Sequence, residues 1–116
     1  MMRLQKLFEP TKIGAMTVKN RIVMPAMGTD FGTQDGFVSP KLVDYYEERA
    51  KGGVGLIIVE NTSVDYPRGK AMPNQISIDH DKYLEGLSDL ARAIKRGGSR
   101  SAIQLEESGI ELKTFS

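Results

Sequence analysis

The chain has 116 residues, of which 40% are hydrophobic and 27% charged, and its formal net charge is +1. These values are typical of one soluble globular unit and exclude a disordered tail or a fibre. A net charge so close to zero provides no long-range field that gathers phosphate groups, so we expect no nucleic-acid partner.

The absence of cysteine excludes disulfides, thiolate metal sites and thiol nucleophiles. A reducing, cytoplasmic location fits this composition. The opening of the chain lacks the long apolar segment of a signal peptide, and the longest fully apolar run covers only residues 56–59. We therefore expect no membrane insertion and no metal site.

The first predicted elements lie before residue 28. Residues 1–20 contain Pro10, Gly14 and Asn20 between short alternating apolar positions, a pattern that predicts a small hairpin. Residues 21–27, RIVMPAM, form a continuous apolar run that predicts a buried strand with a break at its proline.

A polar loop then leads to a predicted helix. Ser39 offers an N-cap and Pro40 the first helical position, and Gly52 and Gly53 end the helix. Residues 54–60, VGLIIVE, predict a second strand, and their lack of polar alternation indicates cover on both faces.

The second half of the chain repeats this order. After a long loop at residues 61–78, Asp79 or Asp81 can cap a second helix, which Gly97 and Gly98 end. SAIQL, residues 101–105, then begins a third strand. The predicted apolar stripe of this helix comprises Tyr83, Leu84, Leu87, Leu90, Ala91 and Ile94.

The alternation of strands and helices predicts an α/β fold with parallel strands and right-handed crossovers. A closed barrel of eight strands needs about 250 residues, so the chain supplies only its opening third. We predict an incomplete (β/α)8 TIM barrel, with an N-terminal hairpin followed by about three parallel strands and two helices. The hairpin occupies residues 1–20, the strand–helix units 21–109 and a divergent tail 110–116.

Three segments carry a family resemblance: LFEPTKIGAMTVKNRIVMPAM, DYYEERAKGGVGLIIVE and AIQL. They closely resemble, in order and spacing, the first part of the old yellow enzyme family of NADH:flavin oxidoreductases, which includes enoate and dienoyl-CoA reductases. The resemblance extends from residue 7 to about residue 105, nearly the whole chain. GGVGLII alone would be a weak signal.

The resemblance implies FMN bound across the C-terminal ends of the barrel strands. Full-length relatives pass hydride from NADH or NADPH to the flavin, and from the flavin to an activated alkene or similar small-molecule acceptor. The phosphate site and the substrate-binding pair belong to later parts of the barrel. We therefore expect an N-terminal portion that is inactive alone, binds FMN weakly or not at all, and has no assigned catalytic residue.

The resemblance also implies which residues meet the flavin. Ala26, Met27 and Gly28 match a segment that lies against the isoalloxazine ring, partly through backbone groups, and Thr29 could tune the flavin by hydrogen bonding. On periodicity alone, Met27 is more simply a core residue.

Two further positions match flavin contacts on the next strands. Asn61 falls where the family often has a small residue, so both a direct amide contact and a clash with the ring are open. Gln104 matches a glutamine at the pyrimidine edge, where a carboxamide can both donate and accept. Glu60 is interpreted as an anchor for loop backbone rather than as a catalyst, and His80 as a solvated residue near a helix start.

The family pattern fails after Gln104. Glu107 stands where histidine is usual and Ile110 where arginine is usual. The adjacent acids Glu106 and Glu107 invite a hydrolase interpretation, but neighbouring side chains on a strand point to opposite faces. The alternative function is a non-enzymatic α/β binding or assembly module that self-associates, or pairs with a partner, through its open sheet edge.

Overall fold

A computed structural model describes residues 4–108 of the chain. Ile110 and the rest of the predicted divergent tail lie outside the described residues, as does the end of the predicted strand–helix units at Gly109. The strands are β1 (Thr11–Ile13), β2 (Met16–Val18), β3 (Val23–Met24), β4 (Leu56–Ser63) and β5 (Arg100–Glu106). The α-helices are α1 (Pro40–Lys51) and α2 (Leu84–Arg96), with short 3-10 turns at Lys6–Phe8 and Asp81–Tyr83.

The strands form two sheets. β1 and β2 make the predicted antiparallel hairpin, with Thr11 opposite Val18. β3, β4 and β5 form a parallel sheet in that order, and the two helices connect its strands. The predicted opening of a β/α barrel is therefore confirmed, and the described part of the chain does not close into a barrel.

The core lies between the sheet and the two helices. Its buried members come from α1, β4, the following loop and α2: Leu42, Tyr46, Ala50, Ile57, Val59, Ile76, Leu90 and Ile94. Ser39 caps α1 as predicted, because its hydroxyl accepts a hydrogen bond from the Leu42 amide at 3.1 Å. Beyond the helix, Gly53 adopts a φ of +107°, which favours glycine.

The predicted bounds of all three parallel strands were wrong. β3 covers two residues instead of 21–27, since Pro25 has no N–H for the ladder and the chain leaves the sheet there. The predicted burial was also wrong, because Val23 is 45% exposed. β4 begins at Leu56 and continues to Ser63, three residues past its predicted end, so Asn61 lies inside the strand rather than in the loop. β5 begins one residue before its predicted start, at Arg100, and continues to Glu106.

The start of the second helix also differs from the prediction. Neither Asp79 nor Asp81 caps α2, whose N-cap position is Tyr83 and has no side-chain hydrogen bond. His80 caps the preceding 3-10 turn, because its Nδ1 accepts a hydrogen bond from the Lys82 amide at 3.0 Å. Asp79 instead accepts hydrogen bonds from the Tyr66 amide and the Ser77 hydroxyl. The predicted stripe of α2 was wrong at Leu84, which is 63% exposed, and at Ala91, which is also exposed.

Candidate functional site

A β-bulge lies at the C-terminal end of the parallel sheet. Val59 pairs with Ile103 and Thr62 with Leu105, so two residues of β4, Glu60 and Asn61, lie opposite a single residue of β5. That residue is Gln104. Bulges re-aim side chains and are frequent beside active sites. Here the bulge separates the side chains of Glu60 and Asn61 into two different environments.

Glu60 has a fully buried side chain on the helix-covered side of the sheet, with a relative exposure of 0%. Its Oε1 accepts hydrogen bonds from the Thr29 hydroxyl at 2.8 Å and from the Tyr46 hydroxyl at 3.1 Å. The Tyr46 hydroxyl in turn accepts a hydrogen bond from the Glu60 amide at 2.9 Å. Oε2 is buried and has no hydrogen-bond partner among residues 4–108. The carboxyl thus joins β4, α1 and the segment after β3.

Burial governs the protonation of this pair. It raises the pKa of the Glu60 carboxyl above its ordinary value, and the hydrogen bonds from Thr29 and Tyr46 lower that pKa by less. Burial and the negative charge of Glu60 also raise the pKa of the Tyr46 phenol, so it stays protonated. The site therefore favours a neutral Glu60 to a higher pH than an exposed glutamate would show.

Asn61 lies in a second group of polar side chains. Its Nδ2 donates a hydrogen bond to Oε2 of Glu106, and the Ser108 hydroxyl donates to Oε1 of the same carboxylate at 2.6 Å. A Cβ added at Gly28 would lie 3.3 Å from Oδ1 of Asn61 and would collide with the end of the Met72 side chain. Only glycine therefore fits at position 28 without displacing Met72.

Gln104 lies on the other face of β5 from the core. Ile103 packs against the core, so the alternation of a strand places Gln104 and Glu106 together on the opposite face. Gln104 is exposed, and its side chain makes no hydrogen bond to other residues in the described range. Its carboxamide is therefore available to a ligand that presents both donors and acceptors.

The structure brings some of the predicted flavin contacts together. Gly28 meets Asn61, Thr29 is held by the neighbouring Glu60, and Gln104 shares a face with Glu106, the partner of Asn61. Ala26 is half-buried just past β3. Met27 is 49% exposed, so the alternative interpretation as a core residue was wrong.

Sequence reasoning missed two participants in this site, Glu106 and Met72. The signal for Glu106 was its position two residues after Gln104, which places both on one face of a strand. No local pattern indicated Met72, since it reaches Gly28 from the long loop after β4. Glu106 and Glu107 do not converge as a catalytic pair, because Glu106 is bound by Asn61 and Ser108 while Glu107 is exposed.

Gln104 offers a free carboxamide that suits the polar edge of a flat heteroaromatic ring. The side-chain space beside Gly28 is filled by Met72 and Asn61. The phosphate anchor implied by the family resemblance is not among these residues.

In the described part of the chain, no helix has the length and apolar character needed to cross a membrane.

Comparison with known proteins gives consistent matches. A family model described as the NADH:flavin oxidoreductase / NADH oxidase family matches residues 6–115. The chain is 48% identical over 103 residues to an NADH oxidase of Thermoanaerobacter brockii, covering 89% of this chain and 16% of that protein.

Solved structures agree with the sequence matches. A 2-naphthoyl-CoA reductase superimposes with a TM-score of 0.84 at 33% identity, covering 87% of this chain and 15% of that one. An old yellow enzyme from Pichia sp. AKU4542 gives a TM-score of 0.80 at 29% identity, covering 88% of this chain and 26% of that one. The chain thus spans about a quarter or less of the length of these three proteins.

Proposed function

Because the chain belongs to the NADH:flavin oxidoreductase / NADH oxidase family, we propose that it forms the N-terminal part of an FMN site in an oxidoreductase. In this proposal the complete barrel passes hydride from NADH or NADPH through the flavin to an activated alkene or a similar small molecule. The proposed unit comprises the hairpin at residues 1–20 and the strand–helix units at 21–109, followed by the tail at 110–116.

The bulge between β4 and β5 is the observation that carries this proposal. It places Asn61 opposite Gln104 at the C-terminal end of the sheet, the end at which β/α barrels bind ligands. Gln104 would bind the polar edge of the ring, and Ala26, Met27 and Gly28 would approach its plane. When FMN is bound, it supplies the hydride transfer, and these residues hold and orient it.

We further propose that the chain alone binds the flavin ring weakly and does not turn over. The anchoring of the flavin phosphate is assigned to later strands, so phosphate should contribute little to affinity here. Titration of the purified chain with FMN and with riboflavin, followed by flavin fluorescence, tests this directly. The proposal predicts weak binding with similar affinity for both compounds and no oxidation of NADH. Micromolar FMN binding together with turnover would contradict it.

The open edge of the sheet favours a second candidate, a module completed by a partner chain or a second copy. β5 is an edge strand in the described sheet, and its Leu105 is 59% exposed. An apolar cavity of about 230 Å³ lies beside it, lined by residues that include Leu87, Leu90 and Ile103. Exposed strand edges pair readily with other chains.

Analytical ultracentrifugation at several concentrations tests this second candidate. Sheet completion by a second copy predicts a sedimentation coefficient that rises with concentration, and Leu105→Lys should suppress the rise because a charge on an edge strand opposes pairing. A stable monomer at every concentration, with a sharp melting transition in the absence of ligand, would exclude self-association as a requirement for folding.

A further inference from the structure

Glu60 connects the proposed flavin site to the helix layer. Its carboxyl lies at the bulge, receives the Thr29 hydroxyl from the segment after β3 and receives the Tyr46 hydroxyl from α1. Thr29 immediately follows Gly28, the residue proposed to approach the flavin ring. Because the buried carboxyl of Glu60 binds the Thr29 hydroxyl, it influences which hydrogen bonds that hydroxyl can make with a ligand.

The hydrogen bonds of the Thr29 hydroxyl determine what this group can offer to a ligand. A threonine hydroxyl has one hydrogen to donate and two lone pairs to accept with. The hydrogen is donated to Oε1 of Glu60 at 2.8 Å, and one lone pair accepts the Phe31 amide at 3.1 Å. One acceptor position is left, and no donor. Thr29 can therefore accept a hydrogen bond from a ligand but cannot donate one while Glu60 is in place.

Glu60 performs this role in either protonation state. Its second oxygen, Oε2, has no partner in the described part of the chain and can carry a proton, while Oε1 continues to accept both hydroxyl groups. Asp30 follows Thr29 in the chain, and its Oδ1 accepts the Asn74 amide at 2.7 Å. In the described part of the chain, the Thr29 hydroxyl donates to Glu60 and not to Asp30.

We propose that Glu60 is a positioning residue that takes the hydroxyl hydrogen of Thr29 and so makes Thr29 present an acceptor, not a donor, to the ligand beside Gly28. This inference rests on the proposed function, because it concerns what the flavin site offers to the ring. Glu60 itself does not need to touch the flavin. It acts through the orientation of one hydroxyl group.

The first test needs no flavin and uses NMR spectra of the complete 116-residue chain. In the wild type, the Thr29 hydroxyl hydrogen should exchange slowly with water, because it is held by a buried acceptor. Glu60→Gln should keep this protection, since the amide oxygen can still accept, whereas Glu60→Leu should abolish it and shift the Phe31 amide signal. Unchanged Thr29 and Phe31 signals in a folded Glu60→Leu variant would overturn the proposal.

A second pair of variants keeps this test decisive if Glu60→Leu does not fold. Thr29→Ser retains a hydroxyl group and Thr29→Val removes it. The side-chain carboxyl ¹³C signal of Glu60 should stay near its wild-type position with serine and move with valine. If valine leaves that signal in place, the carboxyl does not hold the Thr29 hydroxyl and the proposal fails.

The flavin-dependent test is a double-mutant cycle on riboflavin affinity, with Glu60→Leu measured in the wild-type and Thr29→Val backgrounds. Freeing the Thr29 hydroxyl should change affinity about fivefold, the effect of one neutral hydrogen bond. The effect should vanish when Thr29 is valine. An equal effect in both backgrounds would show that Glu60 acts on structure alone. Absence of flavin binding in every variant would refute the proposal that the chain alone binds the flavin ring, while the NMR signals would still decide the role of Glu60.

Discussion

Removing the hydroxyl of Tyr46 should destabilise the chain, because this group accepts the buried Glu60 amide and donates to the Glu60 carboxyl. Tyr46→Phe leaves that amide without a partner in the structure described here. A buried polar group that loses its partner destabilises by roughly 1–3 kcal/mol. With a urea dependence of about 2 kcal/mol per M, a loss of about 2 kcal/mol lowers the unfolding midpoint by about 1 M.

Tyr45→Phe is the matched control for this experiment. Tyr45 adjoins Tyr46 in α1 and stacks edge-on against it at 5.2 Å, but its hydroxyl makes no hydrogen bond to the described residues. The same chemical change should therefore have little effect there. The assay is urea unfolding followed by circular dichroism. A Tyr46→Phe midpoint equal to that of Tyr45→Phe would refute the reasoning.

The stability that Tyr46→Phe loses should also depend on pH. The folded-state pKa of Glu60 is raised by burial, so its contribution to stability is fully present below the unfolded value of about 4.3 and is lost as pH rises through the folded pKa. The Tyr46 hydroxyl bond lowers this pKa, so its removal strengthens the pH dependence. Tyr46→Phe should therefore lose more stability at neutral pH than at pH 4. A loss that is the same at both would contradict this assignment.

Three further predictions concern the helices and the polar site. Ser39→Ala should lower the free energy of unfolding by about 1 kcal/mol through loss of the N-cap, whereas Ser101→Ala, on exposed β5, should not. Gly97→Ala should destabilise by about 1–3 kcal/mol, because its Cβ would lie 2.5 Å from the Cβ of an alanine in α1; an unchanged urea midpoint would refute this. Glu106→Leu should shift the NMR signal of the Asn61 side-chain amide, which donates a hydrogen bond to Glu106, and Glu107→Leu should leave that signal unchanged.

The sequence predicted the elements that local patterns encode. The Ser39 cap, the glycine stops and the continuous apolar strand at β4 each depend on neighbouring residues, and the structure has all three. The bounds of β3 and β4 were harder to predict from the sequence, because strand length is set by pairing with distant segments. Asn61 remains in β4 because β5 continues alongside it, a contact between residues far apart in the chain.

In the candidate site too, some features could be predicted from the sequence, and others depend on contacts between distant segments. Gln104 could be singled out in the sequence because it matches a glutamine of the family, although the structure shows it exposed on β5 rather than buried. The contacts of Glu60 with Thr29 and Tyr46 could not be predicted from the sequence, since they join three elements separated by loops. The approach of Met72 to Gly28 likewise depends on the path of the long loop after β4. The flavin roles of Ala26, Met27, Gly28, Thr29, Asn61 and Gln104 remain predictions.

Mapping of the flavin ring on the chain by NMR tests the central claim most directly. Riboflavin titrated into the ¹⁵N-labelled 116-residue chain should shift the amide signals of Gly28, Thr29, Asn61 and Gln104 together, and Gln104→Ala should weaken the binding. Shifts confined to the apolar cavity between α2 and β5, or no shifts at millimolar riboflavin, would contradict the claim that this chain carries the ring-binding part of a flavin site.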